Sequence, residues 1–328
     1  MLSVGHRTGL FDVMSEMPPA TTQQIATKAQ LNERYVREWL GAMVTGGIVD
    51  YDQDHMLYHI DPKNAKLLTR NSESYNFAAH AQWIPVLAQV ENQIVNCFKN
   101  GGGVPYSSYN RFHEVMAEES DQTTLKELIN SILPLIPGNI AKLEEGISVM
   151  EVGCGSGRAL NLAAKHFPKS NFVGYDLSEE GIKRAKSESQ KSNLSNINFE
   201  IKDFITLQDS EKFDLILAFD AIHDQANPDT VLENISKALK PGGVFLMQDI
   251  AGSSHLHKNL NLPLAPFLYT VSCLHCMTVS LAQNGAGLGA MWGKEKAIQM
   301  LNNAGFSKVD VKELPHDPVN YYYIARKN

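Results

Sequence analysis

The sequence predicts an α/β protein, a doubly wound sheet preceded by a mostly helical unit, and three observations predict it. From residue 148 onward, short β-branched apolar runs alternate with helical stretches. The first of those runs, SVMEV, is followed by a glycine-rich turn, GCGSGR at 153–158, that opens a helix. The first 70 residues read differently, as three helices and a short alternating hairpin. Strands alternating with helices build a parallel sheet covered on both faces, and the leading pattern belongs to a separate unit.

Within residues 1–70, GLFDVM continues a first helix that already contains Met1, which points to further residues upstream. TTQQIATKAQ gives a second helix capped by Thr21 or Thr22, and NERYVREWLGAMVTGG a third that stops at Gly46 and Gly47. IVDYDQDHMLYHID alternates like a two-stranded wing. This winged-helix pattern suggests DNA binding. Charge argues against it: seven Lys or Arg minus eight Asp or Glu leave −1, and Glu33 and Glu38 offset Arg34 and Arg37 on the presumed recognition helix. A dimerisation platform, and hence a homodimer without a nucleic-acid partner, is the better expectation.

Residues 71–145 read as a helical connector. SYNFAAHAQWIPVLAQVENQIVNCFKN is one long apolar-rich helical stretch bent at Pro85. The loop GGGVPYSSYNRFHEVM then presents Tyr106, Tyr109 and Phe112, either to line a ligand pocket or to pack between domains.

The α/β unit spans 146–328. Its first strand carries Glu151 and is followed by Gly153, Gly155 and Gly157, whose missing Cβ atoms let a ligand lie against bare peptide near helix N–H groups. The spacing is G-x-G-x-G with Arg158 where a dinucleotide fold wants its third glycine, which favours a nucleoside without a pyrophosphate. These residues resemble motif I of the class I S-adenosylmethionine (SAM) methyltransferases, a Rossmann-like family. A second strand ends at Asp176, 23 residues beyond Gly153, with Leu177 beside it, where an acid can accept the ribose hydroxyls. The third strand, INFEIKDF, ends at Asp203 and Phe204; the resemblance implies that these meet the adenine, the acid at its amino group and the ring as its cover. FDLILAFDAIHD is a fourth strand, with Asp220 counted among the cofactor residues, KPGGVFLMQDI a turn and fifth strand, and VNYYYIARK a final antiparallel strand.

Between Lys258 and Lys294 no charged residue occurs, although charged residues are 20% of the chain. Prolines and hydroxyl residues interrupt this segment, so it reads as a lid insertion, 253–292, over an apolar acceptor rather than as a membrane span. Cys273, His275 and Cys276, with His255 and His257, lack the second cysteine pair of a zinc site, so no metal is expected. The 43% hydrophobic residues support a large core, the net charge of −7 disfavours a phosphate backbone as partner, and four cysteines without framework spacing suit the cytoplasm.

Methyl transfer needs an aligned, deprotonated nucleophile, and His223, after the fourth strand, sits where ligands bind in open sheets. The whole architecture resembles the winged-helix small-molecule O-methyltransferases and a related uncharacterised bacterial-type group. In the plant branch a His-Asp pair after the fourth strand is the general base, which implies His223 with Asp224. The family's G-K-E element falls on Gly293, Lys294 and Glu295, which implies that Glu295 orients the base. The other orienting acid should end the fifth strand, where this chain has Gln248 followed by Asp249. The expected function is SAM-dependent methylation of a small, fairly apolar acceptor on oxygen. The alternatives are N-methylation without a general base, a SAM-responsive DNA-binding regulator, and a scaffold without turnover.

Overall fold

A computed structural model describes residues 1–71 and 76–327. The chain divides into two compact units, one of residues 1–86 with 114–123, the other of 87–113 with 124–328.

In the first unit the helix α1 (Thr22–Ala29) starts on a capping box between Thr21 and Gln24, and α2 (Glu33–Thr45) on the Asn32 side chain. The wing is the antiparallel pair β1 (Asp50–Asp52) and β2 (Leu57–His59), and an isolated bridge ties Ala20 to Tyr58 of β2. Its core gathers Phe11, Ile25, Trp39 and Leu40. The leading helix is not continuous: Leu2–Arg7 and Leu10–Ser15 are separated at Gly9, whose φ of +72° ends the α-helical path. The long helix expected from residue 74 is also divided; Ser74 and Tyr75 lie outside the described residues, and the remainder forms Phe77–His80, Trp83–Ala88 and Glu91–Asn100. Pro85 does not bend it, because it occupies the first turn of its helix, where no amide donor is required.

The second unit holds a seven-stranded sheet: β3 (Ser148–Val152), β4 (Asn171–Asp176), β5 (Ile197–Ile201), β6 (Phe213–Phe219), β7 (Leu239–Ile250), β8 (Lys308–Leu314) and β9 (Asp317–Arg326). Their order is β5-β4-β3-β6-β7-β9-β8, parallel except for β9, which runs antiparallel to β7 and β8. The inner strands are apolar on both faces, as a twice-covered sheet requires. Met150, Ile216, Phe245 and Met247 pack on one side with residues of Pro228–Ala238 and Lys294–Asn303, and Val149, Leu215, Leu217 and Leu246 on the other with Arg158–His166. Successive strands are added outward on one side from β3 to β5 and on the other from β6 onward, so a crevice opens at the carboxyl ends of the parallel neighbours β3 and β6.

No helix of the described residues is long and apolar enough to cross a membrane. The charge-free stretch after β7 forms short helical pieces at Ala265–Val271, Ser272–Cys276 and Met277–Leu281, the middle one a π-turn. The loop before residue 113 is fastened to them. Gly103 approaches so closely that an added Cβ would stand 2.1 Å from the Thr278 carbonyl oxygen and 2.2 Å from the Ala282 nitrogen. The Val104 amide donates to Thr278 Oγ1 at 2.9 Å, and the Tyr109 hydroxyl to the Leu274 carbonyl.

Candidate cofactor and acceptor site

The turn after β3 is stitched to the end of β4. The amides of Gly153 and Cys154 both donate to the Tyr175 carbonyl, and Asp176 accepts from Gly155 N–H and Ser178 N–H, each at 2.7 Å. The three glycines do not share one role. A Cβ on Gly153 would strike Ala221 at 2.4 Å, and one on Gly157 would strike Phe199 and Ala185 within 2.6 Å, so these two permit close packing. Gly155, at φ +50°, has nothing within 4 Å of its missing Cβ. One bare peptide, not three, therefore faces open space.

Around it the expected cofactor residues divide. Glu151 is buried, its Oε2 has no hydrogen-bond partner, and burial followed by the Asp176 charge pushes its pKa up to about 8. Asp176 keeps unused lone pairs on both carboxylate oxygens, and Leu177 beside it is 52% exposed. Asp203 caps the turn at 204–206 through Ile205 N–H. Phe204 departs from expectation: at 1% exposure its ring belongs to the core with Met150, Tyr175 and Val231, and no face remains to cover a base. Its burial follows from the turn after β5, which directs it inward and leaves Ile205 at the surface. Asp220 takes a left-handed φ of +50°, unusual for a residue with a Cβ, and accepts from Gln248 Nε2 at 3.0 Å. The open peptide at Gly155, the orphaned acid in the crevice wall and the acceptor capacity of Asp176 together fit a cationic nucleoside such as SAM.

Glu151 carries a direct pH consequence. A carboxyl whose folded pKa is raised stabilises the fold below its unfolded value and loses that contribution as pH rises through about 8. Glu151→Gln should remove, between pH 5 and 8, on the order of 3 kcal/mol of alkaline destabilisation. Chemical-denaturation curves of both proteins across that range check this; parallel curves would refute it.

Beyond Ala221 the chain reaches His223, 4% exposed. Its Nδ1 lies 2.8 Å from Asp249 Oδ1, which also accepts from Trp292 Nε1 at 2.9 Å and the Ile250 amide at 2.8 Å. Burial pulls the imidazole pKa down, but the Asp249 charge and the neighbouring Cys276 outweigh it and hold the pKa well above the ordinary histidine value.

Two expectations about this group are corrected. The Nδ1 partner is Asp249, not Asp224; desolvation pushes the pKa of the half-buried Asp224 up to about 6. Glu295 does not orient the base either. Its oxygens accept from the Ser253 hydroxyl, the Ser254 amide and Lys258 Nζ, pinning the loop that leaves β7, and these bonds keep its pKa far below the usual carboxylate range. Gln248 serves the opposite face of the strand, holding Asp220 while accepting from Thr124 Oγ1. Period-two alternation at the end of β7, applied to Gln248 and Asp249, was the available signal for this division.

Asp220, His223 and Asp249 are the described residues whose ligand atoms converge, within 4.8 Å, as a metal could use; the lid cysteines and histidines form no such set. Gln248 Nε2 donates to Asp220 Oδ2 and Trp292 Nε1 to Asp249 Oδ1, the same oxygen that lies 2.8 Å from His223 Nδ1.

Above it lies an aromatic wall. His275 stacks on Phe112 with centroids 4.0 Å apart and rings 13° from parallel, and meets the edges of Tyr109 at 4.8 Å and Tyr106 at 5.1 Å. Tyr106 stacks at 5.5 Å on His113, whose Nε2 lies 3.2 Å from Ser178 Oγ beside Asp176.

Comparison with known proteins bears on the two units and their fold. Residues 1–70 match the family described as an Rv2258c-like winged HTH domain, and residues 143–305 one described as a methyltransferase domain. The chain is 29% identical over 140 residues to (S)-coclaurine N-methyltransferase of Papaver somniferum, covering 43% of this chain but only 38% of that protein's length. It is 30% identical over 184 residues to ubiquinone biosynthesis O-methyltransferase of Coxiella burnetii, covering 56% of this chain and 73% of the relative. Human N-acetylserotonin methyltransferase, solved in complex with SAM, superposes with a TM-score of 0.70 at 17% identity over 100% of this chain and 93% of the other, a likeness of fold.

Proposed function

This chain belongs to the class I SAM-dependent methyltransferases, with a winged HTH domain at its N-terminus, and on that premise we propose that it methylates a small, fairly apolar acceptor on oxygen, with His223 as general base. The observation that carries this reading is the buried His223–Asp249 pair at the carboxyl edge of the sheet, on the segment whose Ala221 packs against Gly153 of the cofactor turn.

When bound, SAM supplies an electrophilic methyl group on a positively charged sulfur. Asp176 accepts the ribose hydroxyls, Leu177 gives the adenine an apolar neighbour, Asp203 takes its amino group, and Gly155 leaves the backbone accessible. Asp220 places a carboxylate along the crevice, beside Glu151, whose carboxyl burial keeps protonated below about pH 8. His223 takes the acceptor proton at Nε2 while Asp249 keeps Nδ1 protonated and balances the resulting imidazolium; Trp292 and the Ile250 amide hold Asp249 in place. The uncharged lid and the aromatic loop keep water from the reacting atoms.

The first unit serves as a dimerisation platform of a cytoplasmic homodimer. On α2, Arg37 pairs with Glu33 and Arg34 with Glu38, so its guanidinium charges are matched by carboxylates on the same helix.

Mass spectrometry of ligands that copurify with the protein, then incubation with methyl-labelled SAM and a metabolite extract, tests the proposal. The expected product carries the label as a methyl ether or ester on a small acceptor. Label found only on nitrogen, or no product with SAM demonstrably bound, overturns the oxygen reading.

A further inference from the structure

The mechanism leaves His275 unused, and its surroundings do not explain it. The imidazole is 3% exposed, Phe112 covers one face, tyrosine edges border it, and Nε2 has no hydrogen-bond partner. A buried polar atom left unpaired is costly, and native interiors pair nearly all of them. The residue sits on the π-turn Ser272–Cys276, a geometry that recurs where a helix serves a ligand. Protonation does not relieve it: burial, with the His223 and His113 charges, lowers its pKa to about 3, so the ring stays neutral at every physiological pH.

We propose that His275 is an acceptor-binding residue, its Nε2 the hydrogen-bond partner of a hydroxyl on an acceptor held against Tyr106, Tyr109 and Phe112. A hydroxyl is favoured over a carbonyl or an ammonium because it both donates and accepts, and so satisfies either neutral tautomer of the ring. A cation would find no carboxylate on the lid, which carries no charge between Lys258 and Lys294. The inference rests on the methyltransferase reading of the same site and adds the chemistry of recognition: a hydroxyl presented from an otherwise apolar, flat body.

Two probes of one shape isolate the hydroxyl, 4-fluorophenol and 4-fluorotoluene, titrated by fluorine NMR into the full chain saturated with S-adenosylhomocysteine. The wild type should prefer the phenol at least about tenfold, a usual value for one buried hydrogen bond. His275→Phe, which keeps the stack on Phe112, should cut that preference to about twofold or less, and His275→Gln should restore part of it. A preference absent in the wild type, or unchanged in His275→Phe, overturns the proposal. Loss in His223→Ala alone overturns it too, and leaves the base assignment standing. Cofactor affinity, measured separately by calorimetry on each variant, reports the SAM site by itself. Should His275→Phe fail to fold, the nitrogen-15 spectrum of the wild type decides: the His275 Nε2 resonance moves on adding 4-fluorophenol but not 4-fluorotoluene, and no movement overturns the assignment.

Discussion

Asp249→Asn lowers kcat by about 10³–10⁴-fold and leaves SAM affinity unchanged, the expected cost of losing the carboxylate that fixes a catalytic imidazole. The variant amide can donate toward Nδ1, inverting the tautomer, so that Nε2 carries a proton when it should be free to accept one. His223→Ala should lose a comparable factor, and the double variant little more, because the two side chains act as one unit. The pH profile gives an independent reading. Wild-type His223 is held above the ordinary histidine value by Asp249; since only the unprotonated ring accepts a proton, kcat should climb with pH, its midpoint lying above 6.5. With the carboxylate gone, burial governs and the residual rate should level off at lower pH. The profile is measured at saturating SAM with the acceptor identified by labelling. An Asp249→Asn enzyme within twofold of wild type, or a flat profile, removes His223 from the chemistry.

Asp176→Ala should weaken SAM binding by about 10²–10⁴-fold, corresponding to two hydrogen bonds to a charged group at roughly 1.5–3 kcal/mol each. The carboxylate has two duties: it accepts from Gly155 N–H and Ser178 N–H, shaping the turn, and it offers its remaining lone pairs to the ribose. Asp176→Asn separates them, since an amide oxygen can still hold one loop N–H but not both. Calorimetry of SAM binding beside a thermal melt checks the result. Near wild-type affinity in Asp176→Ala would mean that the crevice holds something else.

Much of this fold could be read before any coordinates. The run SVMEV, the turn GCGSGR and the acid 23 residues later prescribe a strand, a turn and a second strand, and β3, the turn and β4 follow. What stayed hidden depended on three-dimensional closeness or on local detail. Asp224 adjoins His223 in sequence, yet the turn after β6 carries the imidazole toward β7, so a residue 26 positions away becomes its partner. Glu295 follows a recognisable element, but its helix begins where the loop after β7 offers a hydroxyl, an amide and a lysine, and nearer donors win. Phe204 is apolar and beside an acid, which suits either a ligand or a core; only burial decides. Pro85 and Gly9 show the same limit in the helices, where position within a turn matters more than residue type.

The seam at Gly103 constrains traffic. With its α-carbon pressed onto the backbone of 278–282, and the next amide bonded to Thr278, the tyrosine-bearing loop cannot shift there without breaking that contact. Any side chain larger than hydrogen at position 103 would collide with that backbone and push the two segments apart.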